Sequence, residues 1–175
     1  SVLNKKKTNE YFISNKWKKN KKDNHHINDL TIFKNKIYVS CFSITGNFPN
    51  DVYDGGVISI DRKNNKKEIV IKNLWMPHSI NFFKSSLYIL DSMEAHLKNE
   101  KENILGTFNG FLRGMDFKKK YFLMATSEHR YPEKLKLTSK NIQLSCGVYL
   151  FDRKNHISKF YEINNTNIIH DILII

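Results

Sequence analysis

Arginine, cysteine and long apolar runs are all scarce in this chain, and each shortage removes a class of function. Arginine occurs only at positions 62, 113, 130 and 153, although lysine and arginine together number 29 against 17 acidic residues, a formal net charge of +12. The guanidinium fork is what reads bases and phosphates through paired hydrogen bonds, so specific nucleic-acid recognition is not expected of so lysine-weighted a chain. Its lysines fall in turn-like runs, KKNKK, RKNNKK and KKK, which read as solvated surface. The stretch KWKKNKKDNHH at 16–26 is the local candidate for a polyanion patch. Cys41 and Cys146 form no C-x-x-C pair, so buried free thiols are expected and a cytoplasmic, reducing setting is preferred, although a signal upstream of Ser1 would leave the location open. No apolar run reaches the ~18 residues of a membrane-spanning helix, and no charged-then-apolar leader opens the chain. G-x-S-x-G, the P-loop, the dinucleotide fingerprint and H-E-x-x-H are all missing, which leaves the common enzyme classes without local support.

What the sequence does contain is a repeat. NDLTIFKNKIY from Asn28 and HSINFFKSSLY from His78 align without a gap, pairing Phe33 with Phe83, Lys34 with Lys84 and Tyr38 with Tyr88. RGMDFKKKYF from Arg113 fits the same frame with a one-residue deletion, and HDILII from His170 opens a fourth copy. A second repeat lies one hairpin further on: GVISIDRKN at 56–64 and GVYLFDRKN at 147–155 share their opening Gly-Val and the D-R-K-N run. Alternating apolar positions closed by Asn/Asp turns are antiparallel strands. Each unit therefore reads as four strands, and units of this kind repeated around an axis form a β-propeller of about 40 residues or more per blade.

Period-2 patterning places strands at 9–13, 29–33, 36–42, 56–61, 67–72, 79–83, 86–91, 103–108, 114–117, 121–126, 147–152, 158–163 and 171–175. The one helical candidate, MEAHLKNEKEN at 93–103, is better read as a hairpin, because the compact middle unit needs a third strand. The fold class expected is all-β: a propeller fragment of about three complete four-stranded blades, with approximate repeats at 28–77, 78–112 and 113–169, plus parts of two flanking blades. A closed ring needs more blades, the chain opens on Ser1 and it stops inside an apolar run, so it reads as one partial domain, 1–175, whose missing sequence supplies the rest of the ring. The two long insertions, SITGNFPNDVYDGG and EHRYPEKLKLTSKNIQLSCG, leave the same edge of their blades and should share one face, where recognition loops are carried.

The segments LWMPHSINFFKSSLYILDS, FNGFLRGMDFKKKYFLMATS and LSCGVYLFD, with YFISNKW and HHINDLTI upstream, resemble a bacterial conserved-hypothetical family known as a domain of unknown function. W-M-P-H-S and F-x-R-G-x-D/A-F are the most specific parts of the likeness, which spans roughly 1–175. The resemblance implies a β-propeller and no particular activity. The Lys-rich loop EHRYPEKLKLTSKNIQ departs from that pattern.

The aligned position supplies the candidate site: Asn28, His78, Arg113 and His170, one from the entrance of each innermost strand. These should share one strand face, with Asp29, Ser79, Gly114 and Asp171 pointing the other way. Polar groups at such positions either satisfy neighbouring backbone and hold water or converge on a ligand. A guanidinium in the set favours a carboxylate or phosphate, so the functional reading is a binding or interaction module for a polar or anionic small molecule or a protein partner. The alternative is a metal-assisted hydrolase or lyase of the six-bladed type. It would place a divalent metal on His78 and His170, yet the aligned position offers no carboxylate, and no cofactor is otherwise expected. Asp29 and Asp171 are secondary candidates, as is the cluster Glu128, His129 and Arg130. His96, His129 and His156 are expected to be exposed turn or loop residues.

Overall fold

The computed structural model describes residues 9–15, 19, 22–129, 131–135 and 143–175. Its strands are β1 (Ile27–Phe33), β2 (Lys36–Cys41), β3 (Gly55–Asp61), β4 (Lys67–Leu74), β5 (Pro77–Phe83), β6 (Ser86–Asp91), β7 (His96–Asn99), β8 (Ile104–Thr107), β9 (Phe111–Lys118), β10 (Tyr121–Ser127), β11 (Gly147–Asp152) and β12 (Ile157–Glu162). They form three four-stranded antiparallel sheets in simple up-and-down order, β1–β4, β5–β8 and β9–β12. Helix is scarce among the described residues: besides Asn15 and Lys19, which are helical, there is a turn at Phe48–Asn50 and a short α1 (Pro132–Leu135) in the second long insertion, which the strand pattern did not anticipate. Both cysteines are free and buried, as expected. No helix among the described residues is long and apolar enough to cross a membrane.

Turn chemistry fixes the hairpins. Lys34, Lys84 and Lys119 hold left-handed backbone angles, φ +54°, +48° and +58°, which a tight connection between right-twisted strands demands. The strands then pair in one frame: Phe33 opposite Lys36, Phe83 opposite Ser86 and Lys118 opposite Tyr121. The third copy therefore needs no deletion. Lys118 stands where the others have Phe, and Leu123 stands where they have Tyr38 and Tyr88.

The D-R-K-N turns work through their aspartates. Asp61 Oδ1 accepts from Lys63 N and Asn64 N at 2.8 and 3.2 Å, and Asp152 Oδ1 accepts from Lys154 N and Asn155 N at 3.0 and 3.3 Å, an Asx turn in which the carboxylate replaces a backbone acceptor. A third turn of this kind, which does not share the D-R-K-N sequence, is built on Asn99, whose Oδ1 accepts from Lys101 N and Asn103 N at 3.0 and 3.1 Å. It joins β7 to β8, so 93–103 is a hairpin and not a helix. The third strand of that sheet is thus β7, and the segment expected third at 103–108 is the fourth.

The sheets pack face on face. Successive residues of β6 point opposite ways: Leu87 and Ile89 join Val57, Ile71 and Leu74 of the first sheet, while Tyr88 and Leu90 join Leu112, Met115, Phe122 and Phe151 of the third. The outer face of the first sheet is covered by Tyr11 and Ile13, packed on Val39, Ile58 and Ile60. This cover corrects the expected strand at 9–13: its apolar residues press on a sheet face, and its backbone joins no ladder. Nor is 171–175 a strand. Its equivalents pair with the strand that follows each of them, whereas this segment is held by side chains, as when Ile174 N donates to Asp116 Oδ2 at 2.7 Å.

One ion pair sits inside the second sheet. Lys98 Nζ lies 2.6 Å from Asp91 Oδ2, with side-chain exposures of 14% and 1%, and Asp91 Oδ1 accepts from Trp75 N at 2.8 Å. Burial pushes the Asp91 carboxyl above its ordinary range against the pull of both partners, so the ionised form is held at a cost. Lys98→Met should therefore lower unfolding stability by about 3 kcal/mol or more, and adding Asp91→Asn should recover most of that loss. Urea unfolding of the wild type, the single variant and the double variant measures both; a double variant as unstable as the single would show the charge to be irrelevant.

Candidate functional site

The aligned polar residues sit at irregularities of the three first strands. The ladder shifts between Ile27 and Asp29 in β1 and between His78 and Asn81 in β5, and the register of β9 with β10 shifts across Arg113 and Gly114. Such bulges interrupt the alternation of side chains. The expected division of faces consequently fails: Asn28 Nδ2 donates to Pro77 O at 3.4 Å while the next residue, Asp29, accepts from Ile80 N at 2.9 Å, so both reach β5.

β5 packs against both β1 and β9. The segment carrying His170 is tied to the end of β10: Glu128 N donates to Asn167 O at 2.9 Å, and Ser127 Oγ both donates to Ile169 O and accepts from Ile169 N at 3.0 Å. The chain then crosses Gly114, where a Cβ would stand 2.6 Å from the Asp171 Cα. This close approach requires glycine.

His78 is the buried member of the set, 6% exposed. Its Nδ1 lies 3.0 Å from Met76 O and 2.9 Å from Ser92 Oγ, which makes Nδ1 the protonated nitrogen and leaves Nε2 as an acceptor. Phe42 and Phe111 stand edge-on to the ring at centroid distances of 5.4 and 5.3 Å. Burial, then the charge of Arg113, drive its pKa down to about 3 against the pull of the Met76 carbonyl, with His26 and His170 adding to the fall. His78 is therefore neutral at ordinary pH. Arg113 is half-buried, and His170 is exposed at the rim.

The other candidates separate by role. Asp29 is a backbone tie, its two oxygens accepting from Leu30 N at 2.7 Å and Ile80 N; burial, helped by the nearby Asp171, raises its pKa against these bonds. Asp171 Oδ1 takes Ile172 N at 2.8 Å. His129 is buried, where an exposed loop residue was expected, because Phe111 stands edge-on to it at 5.4 Å and Leu135 of α1 packs on Phe111. Tyr131 N donates to His129 Nδ1 at 3.3 Å. The hydrogen of the neutral ring is then on Nε2, which is buried and has no hydrogen-bond partner among the described residues. Burial lowers the pKa of His129 against the opposing pull of Glu133. Glu128 is half-buried, and Arg130 lies outside the described residues. His96 belongs to β7, and His156 is exposed at a turn.

Described residues of both insertions pack at this end of the first strands. Phe42, Met76, Met93, Phe111 and Leu135 form one cluster, with Phe48, Tyr53 and Tyr131 packed on it. Lys134 bridges the insertions, its Nζ 4.6 Å from the Tyr53 ring and 3.8 Å from Asp51 Oδ1. His26 stacks on Phe48 at 4.4 Å. Phe42 and Phe111 had no place in the sequence-based site, though both stand next to its frame: Phe111 two residues before Arg113, Phe42 directly after β2. Among the described residues no three His, Cys, Asp or Glu side chains assemble as metal ligands, and the guanidinium beside His78 opposes a cation there. The described residues around His78 do not fit a bound divalent metal.

Comparison with known proteins places the chain in a family without assigning it a task. An acylaminoacyl peptidase of Pyrococcus horikoshii is similar in structure at 10% identity and a TM-score of 0.42, over 79% of this chain and 25% of that one. The chain thus spans about a quarter of that protein. No curated protein matches the sequence. A family model does, over residues 9–175, and the chain belongs to that family, the domain of unknown function DUF4915.

Proposed function

We propose that the three sheets are successive blades of a β-propeller, and that the domain is a binding module taking a polar or anionic ligand at the mouth formed by Asn28, His78, Arg113 and His170. The observation that carries this reading is the electrostatics around His78. The permanent charge acting on this buried, neutral ring is the half-buried guanidinium of Arg113, which suits an anion. His129, which like His78 stands edge-on to Phe111, supports it with a buried Nε2–H that has no partner among the described residues. A buried donor left unpaired costs about 1–3 kcal/mol, which an accepting ligand oxygen would recover. An oxyanion would take hydrogen bonds from Arg113 and His129, and a ligand hydroxyl would donate to His78 Nε2. The aromatic cluster beneath the insertions excludes water and strengthens each of these bonds.

Inorganic phosphate and succinate serve as probes. At least one should raise the melting temperature saturably, and Arg113→Gln should weaken binding about tenfold or more, the worth of one charge-assisted bond. His129→Phe, which keeps the packing on Phe111, should weaken it less. Equal responses from wild type and Arg113→Gln would end the proposal.

A pH dependence also follows. The folded-state pKa of His78, about 3, lies below the ordinary value of about 6.5, so the unfolded chain binds this proton more readily. Stability is full above about 6.5 and is lost as pH falls towards 3, at up to about 1.4 kcal/mol per pH unit from this residue. Denaturant midpoints between pH 7 and 4 should fall less steeply in His78→Gln than in wild type; parallel curves would show that His78 is protonated freely in the folded state.

A further inference from the structure

Two grooves of the same construction lie between successive sheets at the hairpin-turn end, away from His78, and only one of them is filled. Between the second and third sheets, Phe83, Tyr88 and Phe117 line the groove, with Phe83 and Phe117 in edge contact at 4.9 Å. Arg153, from the β11–β12 turn, fills it: its guanidinium carbon is 5.8 Å from both the Phe83 and the Tyr88 ring centroids, and Nη1 donates to the Tyr88 hydroxyl. Between the first and second sheets the equivalent residues are Phe33, Tyr38 and Phe82, with Phe33 stacked on Phe82 at 4.1 Å and Tyr38 edge-on to Phe82 at 4.8 Å. Here there is a cavity of about 430 Å³.

The difference traces to one turn position. The residue after the Asx-turn residue donates its amide to the neighbouring hairpin in all three sheets: Arg62 to Asn35 O, Glu100 to Leu87 O and Arg153 to Lys120 O. It is arginine in the first and third copies and glutamate in the second. Glu100 therefore lines the open groove where an arginine on the Arg153 pattern would fill it. Its Oε2 accepts from Leu87 N at 3.1 Å, which fixes the carboxylate at the wall, and Asp61 supplies a second carboxylate. Two lysines stand at the rim beside these carboxylates. Lys36 Nζ is drawn to Glu68 at 2.9 Å, a carboxylate it shares with Lys66. Lys34 lies 5.3 Å from the Phe33 ring just as Lys84 lies 5.5 Å from Phe83, where it coexists with Arg153.

We infer that the groove between the first and second sheets binds a guanidinium group from outside the chain, seated on Phe33 and Tyr38 as Arg153 is seated on Phe83 and Tyr88, and paired with Glu100. The planar cation stacks on the rings, one N–H reaches the Tyr38 hydroxyl, and the carboxylate takes the rest of the fork. The site is independent of the mouth at His78.

The probes are L-argininamide and a tripeptide carrying arginine at its centre, each with its citrulline counterpart, which keeps the shape and loses the charge. Nuclear magnetic resonance titration of the 175-residue chain should show saturable shifts at Tyr38 and Phe33, with citrulline binding about tenfold weaker or more. Tighter binding of the tripeptide would identify the source as an arginyl side chain, and equal binding a free guanidinium compound. Glu100→Arg, which supplies an internal occupant, should abolish the shifts, and Tyr38→Phe should weaken binding without disturbing the fold. Equal binding of the arginine and citrulline probes, shifts unaltered in Tyr38→Phe and Glu100→Arg, or no saturable shift at Tyr38 would each overturn the inference.

Discussion

A four-stranded sheet that is apolar on both faces cannot stand alone in water, and the second sheet is of this kind. Its central strand reads Leu87, Tyr88, Ile89, Leu90, with alternate side chains committed to different neighbours. Burying such side chains is worth about 1.5–3 kcal/mol each, and both faces are covered only if one sheet stacks on either side. Stacking then dictates where the first strands go. β5 is brought against β1 on one side and β9 on the other, and edges that would otherwise face water come together with their backbone groups unpaired.

The chain meets that problem with carboxylates. Asp29 accepts from Ile80 N, and Asp116 accepts from Ile174 N, each while also accepting from the amide that follows it in its own strand. A side chain that joins two strands in this way serves where a ladder cannot form, because the bulges at Asn28, His78 and Arg113 have displaced the regular donors. The same bulges gather the polar residues at one end of the three strands. The candidate site is thus a consequence of how neighbouring sheets meet, and its chemistry is whatever side chain each copy places at the bulge.

Much of the fold was legible because period 2 and turn chemistry are local properties. The Lys turns, the D-R-K-N turns and nearly all strand cores could be read from residues a few positions apart. The strands at 9–13 and 171–175 failed for a common reason: an apolar alternation shows that a segment is buried, not that its backbone has a partner. Ile13 is buried against a sheet face, and Ile174 is held by a carboxylate from β9. That Asn28, His78 and Arg113 occupy one repeated position was legible, but not their orientation, because a bulge leaves the residue types unchanged while resetting which way they point. His129 was named as a secondary candidate but its burial was out of reach, since that depends on Phe111 and on a short helix that brings Leu135 onto that ring.

Repetition makes the molecule its own control. Equivalent positions carry the same backbone and differ in side chain, so a difference in chemistry between copies can be read without changing the fold around it. At the bulge the three sheets carry Asn, His and Arg, which divides hydrogen bonding, proton acceptance and positive charge among neighbours. At the Asx turn they carry Arg, Glu and Arg, and the sign reversal coincides with the groove that stays open. An arginine that crosses to the preceding sheet both fills space and contributes cation–aromatic contact; a glutamate in its place gives up that filling and leaves aromatic walls with a fixed negative charge. At one of two like positions the internal filling is absent while the aromatic walls remain, which is the arrangement from which an occupant outside the chain is inferred.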